Sequence, residues 1–99
     1  MKEKATPAQI QAVTTMFGAL ADASRLNILI FLAEREHSVG ELSDRMDEAM
    51  TTVSARLQVL HGARLVARRR EGRSIIYSIA DDHVLTLVRN ALAHASEHH

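Results

Sequence analysis

Cysteine is absent from the sequence, and that one absence excludes disulfides, thiolate nucleophiles, thiolate zinc sites and thiol redox sensing. Aromatic side chains are scarce as well. Phe17, Phe31 and Tyr77 make up 3% of the chain, against 46% hydrophobic residues in total. The core must therefore come from Leu, Ile, Val, Ala and Met, which favours packed helices over a sandwich and leaves little surface for stacking unpaired bases. No glycine-rich phosphate loop and no activated-serine motif occurs, so an enzyme is not expected. No apolar run approaches the roughly 18 residues of a membrane span, and the start MKEKATPAQ lacks the apolar middle of a signal peptide. The expectation is a cytoplasmic protein with no membrane contact, folded as a single domain over residues 1–99 and small enough that association would help its core.

What is present is charge, unevenly placed. Twelve basic and twelve acidic residues cancel, yet residues 34–48 hold six acidic and two basic side chains, while residues 56–73 hold six arginines and one glutamate. A neutral average conceals a basic patch.

Hydrophobic periodicity places the elements. Ile10, Val13, Met16, Phe17 and Leu20 recur at helical spacing over residues 8–20, and Pro7 suits a first turn. Residues 23–34 are apolar almost all round, which predicts a central buried helix capped by Asp22. A short helix over residues 39–46 begins at Ser38, with Glu41 at the spacing of a capping box. A turn at Asp47 and Glu48 leads to a helix over residues 50–61, with Val53, Leu57 and Leu60 facing inward and Gly62 as its left-handed exit. From Leu65 the period falls to 2: LVARRR and SIIYSI read as strands around Glu71-Gly72-Arg73, where Gly72 takes positive φ. A last helix over residues 82–97 shows Val84, Leu87, Val88, Ala91, Leu92 and Ala95 on one side. The expected fold is mainly α with a small β-hairpin wing, a winged helix-turn-helix in which four helices precede the hairpin and one follows it.

The helix over 50–61 offers Thr51, Thr52, Ser54, Arg56 and Gln58, residue types that read bases or hold phosphates, and the hairpin carries Arg68, Arg69, Arg70 and Arg73. An isolated arginine-rich hairpin is ordinarily solvated surface. Directly after a helix-turn-helix pattern, the same arginines predict binding to double-stranded DNA, with Arg69, Arg70 and Arg73 on phosphates.

The runs ALADASRLNILIFL, SVGELSDRM, TTVSARLQVLHGARLVARRREGRSIIYSI and DDHVLTLVRNALAHASEHH together resemble the ArsR/SmtB family of metal-responsive transcriptional repressors, over about residues 16–98. The resemblance implies a homodimer that binds a palindromic operator and leaves it when metal binds. The chain departs from the family at Glu48-Ala49-Met50, where a polar, serine-rich helix start is usual. Ala49 and Met50 cannot cap, which leaves Asp47 as the substitute cap.

In the last helix, His83 and His94 are separated by three turns, about 16 Å, so one chain cannot close both on one ion. Asp81 lies near His83, and Glu97 lies three residues beyond His94. Two such helices packed antiparallel across a twofold axis would bring Asp81 and His83 of one chain against His94 and Glu97 of the other, twice per dimer. That set suits zinc and tolerates cobalt, while a three-histidine set with His98 in place of Glu97 would favour nickel or cobalt. The first set matches the family's terminal-helix metal pattern, whereas nothing from Ser38 to Leu42 corresponds to the family's cysteine-containing site. Asp82 in place of Asp81, or His98 in place of Glu97, remains open, while His37 and His61 read as surface or packing residues. The alternative function is a winged-helix regulator of the same kind that is constitutive or controlled by another signal.

Overall fold

The computed structural model of the protein describes residues 4–97. Helix α1 runs Pro7–Leu20 and opens with Thr6, whose hydroxyl accepts from the Gln9 N–H while the Gln9 side chain accepts from the Thr6 N–H. Helix α2, Ala23–Glu34, starts where the Asp22 carboxylate accepts from the Arg25 N–H at 2.9 Å. The Arg25 guanidinium reaches back to the Ala19 carbonyl at 2.8 Å and so ties the end of α1 to the start of α2.

Strand β1 is the pair His37–Ser38, which the sequence pattern does not reveal. It lies antiparallel to β3, with His37 opposite Tyr77, and makes the sheet three-stranded in the order β1-β3-β2. Helix α3, Val39–Met46, begins at the Ser38–Glu41 capping box that the spacing predicts. Helix α4 is Met50–Gly62, β2 is Val66–Glu71, β3 is Ser74–Ile79 and α5 is Asp82–Ser96. Gly72 turns the hairpin at φ 62°. The architecture is the winged helix-turn-helix expected, mainly helical with a hairpin wing.

Two local expectations are overturned. Gly62 is not the left-handed exit of α4: it stays helical, and Arg64 takes φ 63°. The Leu65 N–H bonds the Leu60 carbonyl at 2.9 Å and the Arg64 N–H bonds the His61 carbonyl at 3.0 Å, a Schellman arrangement whose left-handed residue lies two positions later than expected. Ala63 and Leu65 are both buried, so the exposed position 64 is the one left to make the turn. Asp47, likewise, does not cap α4. It occupies the left-handed position ending α3 at φ 53°, with the Glu48 N–H bonded to the Ser43 carbonyl at 3.1 Å. The N-cap of α4 is Ala49, which has no side-chain cap bond.

The core gathers Ile28, Leu29 and Leu32 of α2, Leu42 of α3, Val53, Leu57 and Leu60 of α4, and Leu65, Val66, Tyr77, Val84 and Val88. His37 is fully buried among them. Its Nε2 lies 3.0 Å from an Arg45 guanidinium nitrogen that can only donate, so Nε2 accepts and Nδ1–H donates to the Arg35 carbonyl at 2.9 Å. The imidazole is thus a neutral packing group that joins β1 to α3, as one of the two roles expected for it.

The terminal helices are different. Helix α1 buries Ala19 alone and α5 buries only Val84 and Val88, while Ile10, Val13, Phe17, Leu87 and Leu92 remain exposed. Phe17, Leu20, Leu26, Leu87, Val88 and Ala91 line an apolar groove where α1, α2 and α5 meet. Among the described residues, no single helix is long and apolar enough to cross a membrane.

Candidate functional site

Helix α4 turns Val53, Leu57 and Leu60 into the core and leaves Thr51, Thr52 and Gln58 exposed, with Ser54 half-buried on its flank. The i, i+3/i+4 spacing of the buried residues dictates that split. Arg56 is held by a bidentate ion pair with Glu48, its two guanidinium nitrogens 2.6 and 2.8 Å from the carboxylate oxygens. Hydrogen bonding from Arg56 keeps the Glu48 carboxyl below the ordinary carboxylate range, and Glu48 in turn raises Arg56. The pair clasps the turn between α3 and α4, where the Ser43 hydroxyl also donates to the Glu48 carbonyl.

The wing divides its arginines between two faces. Arg69 lies opposite Ile76 and shares its face with Glu71. It bonds Glu36 at 2.7 and 2.8 Å and Glu71 at 2.8 Å, and these carboxylates, Glu36 first, raise its pKa further. Glu36 is correspondingly lowered by the Arg69 hydrogen bond. Arg68 and Arg70 point to the other face, that of Val66 and Tyr77, which continues into the core. With Arg73 beside the turn, they are exposed and make no ion pair among the described residues. Between the start of α3, the start of α4 and the wing lies a depression of about 300 Å³ bounded by Gly40, Met50, Ser54, Arg73, Ser74 and Ile75, among others.

Glu36, Glu48 and Glu71 are not legible in the sequence as partners of these arginines. Glu48 and Arg56 stand eight residues apart across a turn, and Glu36 and Arg69 thirty-three apart across β1 and the hairpin, so no local period announces either pair. The exposed apolar residues Met50, at the start of α4, and Ile75, on the wing, were also missed; only the unusual Ala49-Met50 start hinted at them.

Helix α5 carries the candidate metal ligands as two pairs. At its start, the Asp81 Oδ1 accepts from the Val84 N–H at 3.0 Å and lies 3.7 Å from His83 Nδ1. At its end, His94 Nδ1 lies 3.8 Å from Glu97 Oε2. All four side chains are well exposed, His83 almost entirely. Of the alternatives left open, Asp81 faces His83 directly, and His98 lies outside the described residues. No three His, Asp or Glu side chains gather around one point among the described residues of the single chain. Each end of α5 carries one imidazole and one carboxylate, half of a four-donor set, and such donors fit a borderline divalent ion such as zinc.

Residues 20–69 match a protein family described as a helix-turn-helix domain. The chain is 42% identical to a transcriptional repressor SmtB homolog of Synechocystis over 90% of its own length and 67% of that protein. It is also 42% identical to the transcriptional regulator KmtR of Mycobacterium tuberculosis, over 88% of this chain and 67% of the relative. It thus spans about two thirds of the length of these curated relatives. Among solved structures, a homodimeric winged helix-turn-helix DNA-binding domain from Mycobacterium bovis, described as a possible ArsR-family regulator, superposes with a TM-score of 0.89 at 35% identity, over 99% of this chain and 93% of that one.

Proposed function

Because the chain belongs to the ArsR/SmtB family of winged helix-turn-helix transcriptional regulators, we propose that it is a repressor released from operator DNA by metal. The observation that carries this reading is the layout of α5: a donor pair at each end and, between them, an apolar face that the monomer leaves uncovered. Two copies joined through α1 and α5 bury that face. If the two α5 helices run antiparallel about the twofold axis, Asp81 and His83 of one protomer meet the partner's His94 and Glu97.

The two imidazoles would bind as neutral rings, and Asp81 has a second oxygen for an ion while Oδ1 holds the Val84 N–H. Asp81 and His83 of one protomer with His94 and Glu97 of the other would hold a zinc ion, or cobalt or nickel, which would supply the positive charge that four such donors neutralise. Completing a ligand set shared by two chains fixes the angle between the α5 helices. Because α5 packs on α2 and β3, that angle sets the separation of the two α4 helices across a palindrome.

On the DNA side, α4 lies in the major groove with Thr51, Thr52, Ser54 and Gln58 toward base edges, and Arg70 and Arg73 meet phosphates. Arg56 and Arg69 reach DNA by exchanging a carboxylate for a base edge or a phosphate. Cobalt titration followed by visible absorption tests the ligand set: wild type should develop intense tetrahedral bands saturating at two ions per dimer, and His94→Ala should not. Equal spectra for the two proteins would place the ion elsewhere and defeat the proposal.

A further inference from the structure

Met50 is the first residue of α4 and is 54% exposed, on a helix that buries Val53, Leu57 and Leu60 completely. This large apolar side chain at the open end of a polar, hydroxyl-rich helix start lies outside the hydrophobic core. A cap residue would have stabilised the helix there, yet Ala49 and Met50 offer no hydrogen bond.

The position is nonetheless rigidly built. Asp47 holds the left-handed turn, the Ser43 hydroxyl holds the Glu48 carbonyl, and the Glu48 carboxylate clasps Arg56 from the same helix. Met50 is therefore presented in one place by the turn. It bounds the depression between α4 and the wing together with Ile75, 37% exposed, and Val39, and the same lining includes Ser54, Ser74 and Arg73.

A lining that mixes apolar Val39, Met50 and Ile75 with hydroxyl-bearing Ser54 and Ser74 and the cationic Arg73 fits a polyanion that carries an apolar group. Duplex DNA presents such a group in the major groove, the C5-methyl of thymine. We propose that Met50 reads a thymine methyl, so that each operator half-site requires thymine at one position opposite the start of α4. The proposal rests on the reading of α4 as the DNA-reading helix and adds a specificity-determining residue to it.

The experiment uses the full chain and a duplex selected by it from a random-sequence library. Each thymine of a half-site is replaced singly by deoxyuridine, which removes the methyl and leaves every hydrogen bond. Binding is then measured for wild type, Met50→Ala and Met50→Leu. One position should weaken wild type by about fourfold per half-site, the worth of one buried methyl. Met50→Leu should retain that sensitivity, and Met50→Ala should bind the thymine duplex more weakly with no further loss on deoxyuridine. If no deoxyuridine position affects wild type more than Met50→Ala, while the selected duplex is still bound, the Met50 proposal is overturned and α4 remains a DNA reader. If selection enriches no duplex at all, both fall. Met50 is exposed, so the variants put little of the core at risk, and the deoxyuridine scan of wild type needs no variant.

Discussion

Phe17→Ala should dissociate the proposed dimer while leaving the monomer folded. Phe17 is 53% exposed and lies at the edge of the groove formed with Leu26, Leu87 and Ala91. A phenylalanine side chain has about 200 Å² to bury, so about 105 Å² is left for a partner to cover, of which alanine would recover about a third. The net loss of about 70 Å², at roughly 25 cal/mol per Å², is about 1.8 kcal/mol per protomer. A twofold interface counts it twice, about 3.5 kcal/mol, or between two and three orders of magnitude in the dimer dissociation constant. Sedimentation equilibrium across a concentration series reads that constant, and circular dichroism checks the helices. A dissociation constant unchanged by the substitution would refute the assignment of the α1 and α5 faces to the dimer. So would a wild type that stays monomeric throughout.

Gly62→Ala should stabilise the protein by about 1 kcal/mol in urea denaturation, since the residue is helical and an added Cβ meets nothing within 4 Å; destabilisation would restore Gly62 as the turn. Glu48 has its folded pKa below the ordinary 4.5, because Arg56 donates to it. As pH falls, the unfolded chain takes up that proton first, so the contribution is fully present above 4.5 and is lost as pH drops through the lower folded value. Glu48→Gln should flatten the fall of stability with acid over that window, and an unaltered slope would count against the pair. Arg70→Ala should weaken specific and random duplexes alike and lower the salt slope by about 1, whereas Arg69→Ala, already neutralised by Glu36 and Glu71, should change both less; the opposite order would move the phosphate contacts to the other face of the wing.

Periodicity and caps made most of the fold legible. The Ser38–Glu41 box fixed the start of α3, the change of period at Leu65 located the wing, and Gly72 located its turn. What stayed hidden depends on contacts between distant residues. Strand β1 is two residues long and exists because Tyr77, forty positions away, pairs with His37. Gly62 looked like the obvious turn residue, but the burial of Ala63 and Leu65 moved the turn to Arg64, and packing outweighed the glycine's intrinsic preference. Asp47 was unavailable as a cap because the end of α3 had already placed it in the left-handed region. At the site, the donor pairs of α5 were readable because both members of each pair lie on one helix. The carboxylates that hold Arg56 and Arg69 were not, because the chain folds back to supply them.

The central claim is that DNA and metal compete through the angle between the two α5 helices. Operator binding by fluorescence anisotropy at fixed ionic strength, run with chelator and with buffered zinc for wild type and His94→Ala, tests it directly. Wild type should lose about 5- to 150-fold in affinity when zinc is present, and operator DNA should weaken zinc binding by the same factor. His94→Ala should match the metal-free wild type in both conditions. Equal DNA affinity of the wild type with and without zinc, or a full zinc response in His94→Ala, would contradict the account and leave α5 as a dimer strut with polar ends.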